Sequence, residues 1–163
     1  AKILGAGGVF AVDIHEAKLA QAEQFGCVPV NAAREDAVRQ IQSLTGGRGV
    51  DVALELIGLP RTMRQAVQSL AVQGRAALAG ITQQPFEIFP YQEILNKEAE
   101  IVGVSDHLAT ELPLLLDWAR AGQLDLQGVV TKTIPLDAAA INQTLDALDR
   151  FEVRGRTVIK PGN

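Results

Sequence analysis

Few residues in this chain are equipped for chemistry, and the informative ones stand at the ends of apolar runs. Asp13 closes the run Gly8-Val9-Phe10-Ala11-Val12-Asp13, and an amphipathic pattern with Lys18, Leu19 and Ala22 follows at once. So short an apolar run cannot span a membrane and matches a strand buried on both faces of a parallel sheet. In a doubly wound sheet, ligands bind outside the carboxyl ends of the strands. An acidic residue at the tip of the second strand can there accept both hydrogen bonds of an adenosine ribose diol. Asp13 has that position, and Lys18 is close enough in sequence for its long chain to swing back toward the same ribose. Glu55 ends a second apolar run, Val50-Asp51-Val52-Ala53-Leu54-Glu55. Its place before an exit loop favours a structural role over proton transfer. Cys27, His15 and His107 are single and widely spaced, so they offer none of the closely spaced ligand pairs of a metal site. Cys27 reads as a small packed residue and His15 as a helix-start residue. No Gly-x-Ser-x-Gly nucleophile pattern occurs.

The elements that must position these residues alternate between short apolar runs and helix-period segments, which predicts an α/β fold with a Rossmann-type doubly wound parallel sheet. Gly5-Ala6-Gly7-Gly8 is not the glycine loop of such a domain. Asp13 follows Gly5 by only eight positions, whereas a dinucleotide fingerprint needs strand, turn and helix, with the acid about 20 positions on. Ala1 to Leu4 instead read as the last turn of a helix capped by Gly5. On this reading the chain begins inside the first helix of a nucleotide-binding domain, and the first strand and its glycine loop are missing from it.

A helix is expected over residues 14–25, with Ala17, Leu19, Ala20, Ala22, Glu23 and Phe25 on the inward stripe. The third strand is Cys27-Val28-Pro29-Val30-Asn31, where Pro29 argues for a sheet edge, as the strand order 3-2-1-4-5-6 requires. A helix over residues 34–44 buries Ala37, Val38, Ile41 and Leu44 and breaks at Gly46-Gly47. Strand 50–56 exits through Ile57-Gly58-Leu59-Pro60 into a helix reaching Ala71. Strand 75–81 carries Gly80 at its tip, Phe86, Ile88 and Phe89 bury themselves in an irregular link, and a short helix covers 91–96. Strand 99–104 carries Gly103 near its end. Beyond it come a helix over 111–121 with Leu112, Leu115, Leu116 and Ala119 inward, a strand over 129–134, a helix over 138–148 opened by Asp137, and a strand over 156–159. These give residues 1–124 as a partial nucleotide-binding domain and 125–163 as a separate C-terminal segment.

The ordered series from Ala1-Lys2-Ile3-Leu4-Gly5-Ala6 and Val9-Phe10-Ala11-Val12-Asp13 through Thr45-Gly46-Gly47-Arg48-Gly49-Val50-Asp51-Val52-Ala53-Leu54-Glu55 and Gly58 with Thr62 resembles the medium-chain dehydrogenase/reductase family. Gly74-Arg75, Gly80, Gly103 and Gly155-Arg156-Thr157-Val158-Ile159 continue the likeness in the same register along essentially the whole chain. The resemblance implies the coenzyme domain of a zinc-dependent alcohol dehydrogenase-like enzyme, with the tail returning to the catalytic domain. It implies NAD bound at the carboxyl edge by Asp13, Ile14 and Lys18 on one side, and by Ile57, Gly58, Gly80, Ile81, Val102 and Gly103 on the other. It also implies Arg156 beside the pyrophosphate, where a guanidinium's fixed donors suit phosphate oxygens. In the family the catalytic metal ligands lie upstream, so zinc is expected only through residues absent from this chain.

Composition bounds the remaining classes. The 163 residues fit one domain with a real core. At 47% apolar and 21% charged residues, the chain has a globular composition. A net charge of -4 with interspersed signs excludes the basic stripe of a nucleic-acid binder. No apolar run approaches membrane-span length, so no membrane partner is expected. One cysteine excludes an internal disulfide and fits a cytoplasmic location. The expected function is the NAD(H)-binding part of an oxidoreductase that moves a hydride between nicotinamide and a small alcohol or carbonyl substrate, with the fragment alone inactive. Two alternatives stay open: an inactive structural or oligomerisation module, and a zinc-free quinone reductase-like relative. Homo-oligomer formation is left open as well.

Overall fold

The structure is a computed structural model that describes every residue except His107, Phe151 and Asn163. Two compact units divide it, Ala1–His107 and Leu108–Asn163. The first opens with a 3-10 turn, Lys2–Leu4, closed by Gly5 at φ 89°, whose N–H donates to the Lys2 carbonyl. β1 (Phe10–Asp13) follows without an intervening helix, as expected from the short spacing between Gly5 and Asp13. It pairs in parallel with β2 (Val28–Asn31), Asp13 standing opposite Asn31. β2 has no second neighbour among the described residues, so Pro29 costs no ladder bond on its outer side.

α1 (Glu16–Gln24) links β1 to β2. Only Leu19 of its expected inward stripe is buried; Ala17, Ala20 and Phe25 are exposed. The helix packs chiefly on the β1–β2 pair, a surface too narrow to cover a full stripe. α2 (Ala37–Leu44) begins at residue 37 rather than 34. The Arg34 and Glu35 N–H groups are held by the Asn31 carbonyl, and Asp36 supplies the cap by accepting from Arg39 N at 2.9 Å. Ala37 and Ile41 pack against Val30, with Phe10, Ala32 and Val50 around them. Leu44, expected inside, lies past the last buried turn and is exposed.

β3 (Val50–Glu55), β4 (Leu70–Leu78) and β5 (Glu100–Gly103) form a second parallel sheet in that spatial order. α3 (Pro60–Gln68) connects β3 to β4, with Pro60 in its first turn. Two boundaries differ from the sequence reading. The helix stops at Gln68 instead of Ala71, and β4 starts at Leu70 instead of Arg75. The register shifts so that Val50 faces Leu70 and Val52 faces Arg75. Gln73, at φ 61°, absorbs the extra residues in a bulge. β4 also ends at Leu78, which leaves Gly80 and Ile81 in the exit loop and not in the strand. Val67, Leu70 and Ala76 form the core here, packed by Ala53, Leu78, Phe86 and Ile88. Phe89, expected to bury itself, is exposed, and the Arg64 guanidinium lies 5.0 Å from its ring centre.

No ladder joins β1 to β3 among the described residues. Between them runs a largely apolar cavity of about 620 Å³, lined by Val9, Phe10 and Val12 on one side and Val50, Val52 and Leu54 on the other. The order expected from the sequence puts a central strand at this place.

In the second unit, β6 (Val130–Pro135) and β7 (Arg156–Lys160) pair in parallel. α5 (Ala138–Asp149) is capped by Asp137, which accepts from Ala140 N at 2.9 Å. α4 (Leu112–Arg120) contains no buried residue, and Leu112, Leu115 and Leu116 are exposed. Of the inward face read from its spacing, only Ala119 is half-buried among the described residues.

Candidate functional site

The carboxyl ends of β1, β3, β4 and β5 carry the residues singled out by the sequence. At β1, Asp13 Oδ1 accepts from His15 N at 2.9 Å. This turn starts α1 without a side-chain cap from His15 itself. Asp13 Oδ2 lies 3.7 Å from Lys18 Nζ, so the lysine does swing back to the strand tip. The pair is partly solvated and contributes little to stability, and both oxygens keep lone pairs for further donors. Ile14 is exposed beside them. Glu16 accepts from Asn31 Nδ2 and pairs with Arg34 at 2.8 Å. That arginine is thereby engaged away from Asp13.

At β3, Glu55 is 3% exposed. Its Oε1 accepts from Ile57 N at 3.0 Å, Gly58 N at 3.0 Å and Thr62 Oγ1 at 2.6 Å, and its Oε2 also faces Gly58 N at 3.2 Å. Its main-chain oxygen accepts from Ala79 N at 2.9 Å and Gly80 N at 3.1 Å. A carboxylate this buried, with three donors from the loop and helix behind it, holds structure, which agrees with the role read from its position before the loop. Gly58, at φ +87°, could not carry a side chain, since a Cβ would lie 2.4 Å from the Ile81 carbonyl oxygen. At Gly80 a Cβ would lie 2.1 Å from Gly58 N and 2.5 Å from Glu55 Oε2. The missing side chain at Gly80 is thus required by the protein's own packing. Gly103 differs, for a Cβ there meets nothing within 4 Å. Ile57, Ile81 and Val102 are all exposed, Ile81 to 93%.

The remaining candidates belong to other elements. Arg156 is an exposed residue at the start of β7 in the second unit. His107 falls outside the described residues. Cys27 is a free, half-buried thiol. Among the described residues no group of three His, Cys, Asp or Glu side chains could hold a metal ion, and no helix is long and apolar enough to cross a membrane.

A polar cluster at the opposite end of β4 was not foreseen. Glu93 is buried and accepts from Phe89 N at 2.8 Å and Gln68 Nε2 at 2.8 Å. Lys97 Nζ donates to the carbonyls of Gln68 at 3.1 Å and Leu70 at 2.8 Å. Burial holds the Lys97 ammonium below the usual lysine pKa, with Glu93 opposing that shift. These contacts tie the end of α3 to the segment before β5. They span sequence separations of up to 29 positions, which no local pattern announces.

A family model described as zinc-binding dehydrogenase matches residues 1–121. The chain is 31% identical over 161 residues to (R,R)-butanediol dehydrogenase of Bacillus subtilis, covering 98% of this chain and 45% of that protein. It is 30% identical over 151 residues to sorbitol dehydrogenase of the same organism, covering 92% of this chain and 41% of that one. Among solved structures, 2R,3R-butanediol dehydrogenase from Bacillus subtilis superposes with a TM-score of 0.87 at 30% identity, over 99% of this chain and 46% of the other. Alcohol dehydrogenase TADH from Thermus sp. ATN1 gives 0.84 at 26% identity, over 98% and 46% respectively. The chain therefore spans less than half the length of these relatives. A family match over most of the chain, on a fold shared across nearly all of it, makes this chain a member of the zinc-binding dehydrogenases, the family also called medium-chain dehydrogenases/reductases.

Proposed function

We propose that this chain is the NAD(H)-binding part of an oxidoreductase that transfers hydride between nicotinamide and a small alcohol or carbonyl substrate. The observation that carries the reading is Asp13 at the carboxyl tip of β1, with lone pairs free on both oxygens and Lys18 Nζ at 3.7 Å. Its relatives' names support the reaction class, since one of them is an NAD-dependent alcohol dehydrogenase, 28% identical over 162 residues. Bound NAD would supply the hydride-accepting ring, and the protein's task is to hold and orient it. Asp13 would accept from the two adenosine ribose hydroxyls, and Lys18 would offset its charge. Ile57, Gly58, Gly80, Ile81, Val102 and Gly103 would present backbone and apolar surface to the other half of the dinucleotide. Arg156 would supply donors to the pyrophosphate. The described residues do not suit a zinc ion, and no step is assigned to one. In this reading residues 1–124 serve the cofactor and residues 125–163 return to a catalytic domain. The family match ending at residue 121 favours that division. Cytoplasmic location is part of the same proposal.

Asp13 would also select NAD over NADP. A carboxylate there meets the 2'-phosphate with like charge and offers it no donor. Losing one charge-assisted contact matters by about 1.5–3 kcal/mol, more than tenfold in affinity. The test is kcat/KM with each cofactor for the full-length protein and its Asp13→Ser variant at fixed pH and ionic strength. Wild type should prefer NAD by more than tenfold and the variant should lose most of that preference. Equal use of both cofactors by wild type, or an unmoved ratio in the variant, would remove Asp13 as the selector.

A further inference from the structure

Glu55 is a buried carboxylate whose partners are all neutral. Burying such a group is costly unless its oxygens are fully hydrogen-bonded, and here three donors converge on it from one short loop and the helix that follows: Ile57 N, Gly58 N and Thr62 Oγ1. Thr62 lies in the first turn of α3, where the partial positive charge of the helix end favours an anion. On the other side, the Glu55 carbonyl oxygen receives the N–H groups of Ala79 and Gly80. One residue therefore holds the exit loops of both β3 and β4.

The two loops are pressed together to a degree that leaves no adjustment. A Cβ on Gly80 would fall 2.1 Å from Gly58 N, and one on Gly58 would fall 2.4 Å from the Ile81 oxygen. On their outer side the loops leave apolar side chains bare, with Ile57 57% and Ile81 93% exposed. An apolar ledge at a strand exit, held rigid from behind by a charged clasp, is a device for orienting a flat ligand group. Asp13 belongs to a different sheet, and none of the hydrogen bonds of Glu55 reaches β1.

We propose that Glu55 is a positioning residue: its carboxylate fixes the exit loop of β3 while its main-chain carbonyl holds that of β4, and the two loops form one edge that seats the nicotinamide half of the dinucleotide and leaves the adenosine half to Asp13. This rests on the dinucleotide reading above and assigns Glu55 no contact with the ligand. In Glu55→Gln the shape is kept, but the amide group turns a donor toward donors that now share a single oxygen. The β3 exit loop should loosen against that of β4, whose bonds to the Glu55 main-chain oxygen remain, while β1 is untouched.

The test measures dissociation constants of AMP and NAD by calorimetry on the full-length protein, for wild type, Glu55→Gln and Thr62→Val. Thr62→Val removes one donor and keeps the carboxylate, so it stays informative if Glu55→Gln does not fold. Glu55→Gln should weaken NAD at least tenfold, which is about 1.4 kcal/mol, and leave AMP within twofold. Thr62→Val should move NAD in the same direction by about threefold, again sparing AMP. A purely structural carboxylate would change both ligands together or neither, and either result overturns the proposal. Failure of wild type to bind AMP and NAD would remove the dinucleotide reading itself, and the clasp's role with it.

Discussion

Replacing Gly80 and Gly103 separately by alanine distinguishes a glycine that the fold needs from one that only a ligand could need. At Gly80 the added methyl would lie 2.1 Å from Gly58 N, 2.5 Å from Glu55 Oε2 and 2.6 Å from Gly58 Cα, all well inside the 3.5–4.0 Å of ordinary contact. Two of these neighbours are backbone, and the third is a carboxylate held by its own donors, so none can rotate away. Overpacking of this kind costs about 1–3 kcal/mol, and displacing the carboxylate forfeits a charge-assisted hydrogen bond of about 1.5–3 kcal/mol. A net loss of about 2.5–6 kcal/mol is expected for Gly80→Ala. At Gly103 the methyl has open space and the backbone is not left-handed, so Gly103→Ala should stay within about 0.5 kcal/mol of wild type. With a urea m-value of about 2 kcal/mol/M, Gly80→Ala should lower the unfolding midpoint by about 1–3 M, and Gly103→Ala by no more than about 0.3 M. Far-UV circular dichroism gives the midpoint, and hydrogen exchange of the β3 and β4 amides assigns the change to the first unit. If the two variants fall equally, or Gly80→Ala leaves the midpoint unchanged, the close packing of the two exit loops is refuted.

Arg156→Ala in the full-length protein should raise the NAD dissociation constant severalfold while leaving the AMP constant less affected, as expected of a donor to pyrophosphate; an unchanged NAD constant by calorimetry would withdraw the assignment. Lys97→Met leaves the Gln68 and Leu70 carbonyls without the donor now at 3.1 Å and 2.8 Å and should cost about 1–3 kcal/mol in urea unfolding at pH 7. Because burial lowers the Lys97 pKa in the folded state, the unfolded chain binds more protons between that lowered value and the ordinary lysine pKa. Wild-type stability should therefore gain a rising contribution with pH across that alkaline window, and unfolding midpoints of Lys97→Met measured across it should lack the gain.

The element series was legible because local rules carry it. Asp137 caps a helix where a polar residue precedes apolar periodicity, and Gly5 and Gly26 stop helical turns with left-handed backbone. The refusal of the Gly5–Gly8 fingerprint needed only chain length, since no crossover helix fits before Asp13. Boundaries failed where distant groups compete for the backbone. α2 starts late because Asn31 captures the preceding N–H groups. β4 starts early because a bulge at Gln73 lets Leu70 pair with Val50 across twenty positions.

The amino-acid sequence by itself determined the parallel α/β order and the acid at the strand tip, because these follow from hydrophobic period, turn residues and spacing along the chain, and its ordered residue series carried the family resemblance. Only the tertiary structure decided what Glu55 and Gly80 do. The position of Glu55 before its exit loop favours a structural role, but it does not say which backbone and hydroxyl donors take up the carboxylate. A glycine after a strand reads alike whether ligand or protein occupies the space of its absent side chain. Those distinctions depend on which atoms lie within about 3 Å once separate strands are side by side, and no periodicity in one dimension records that distance.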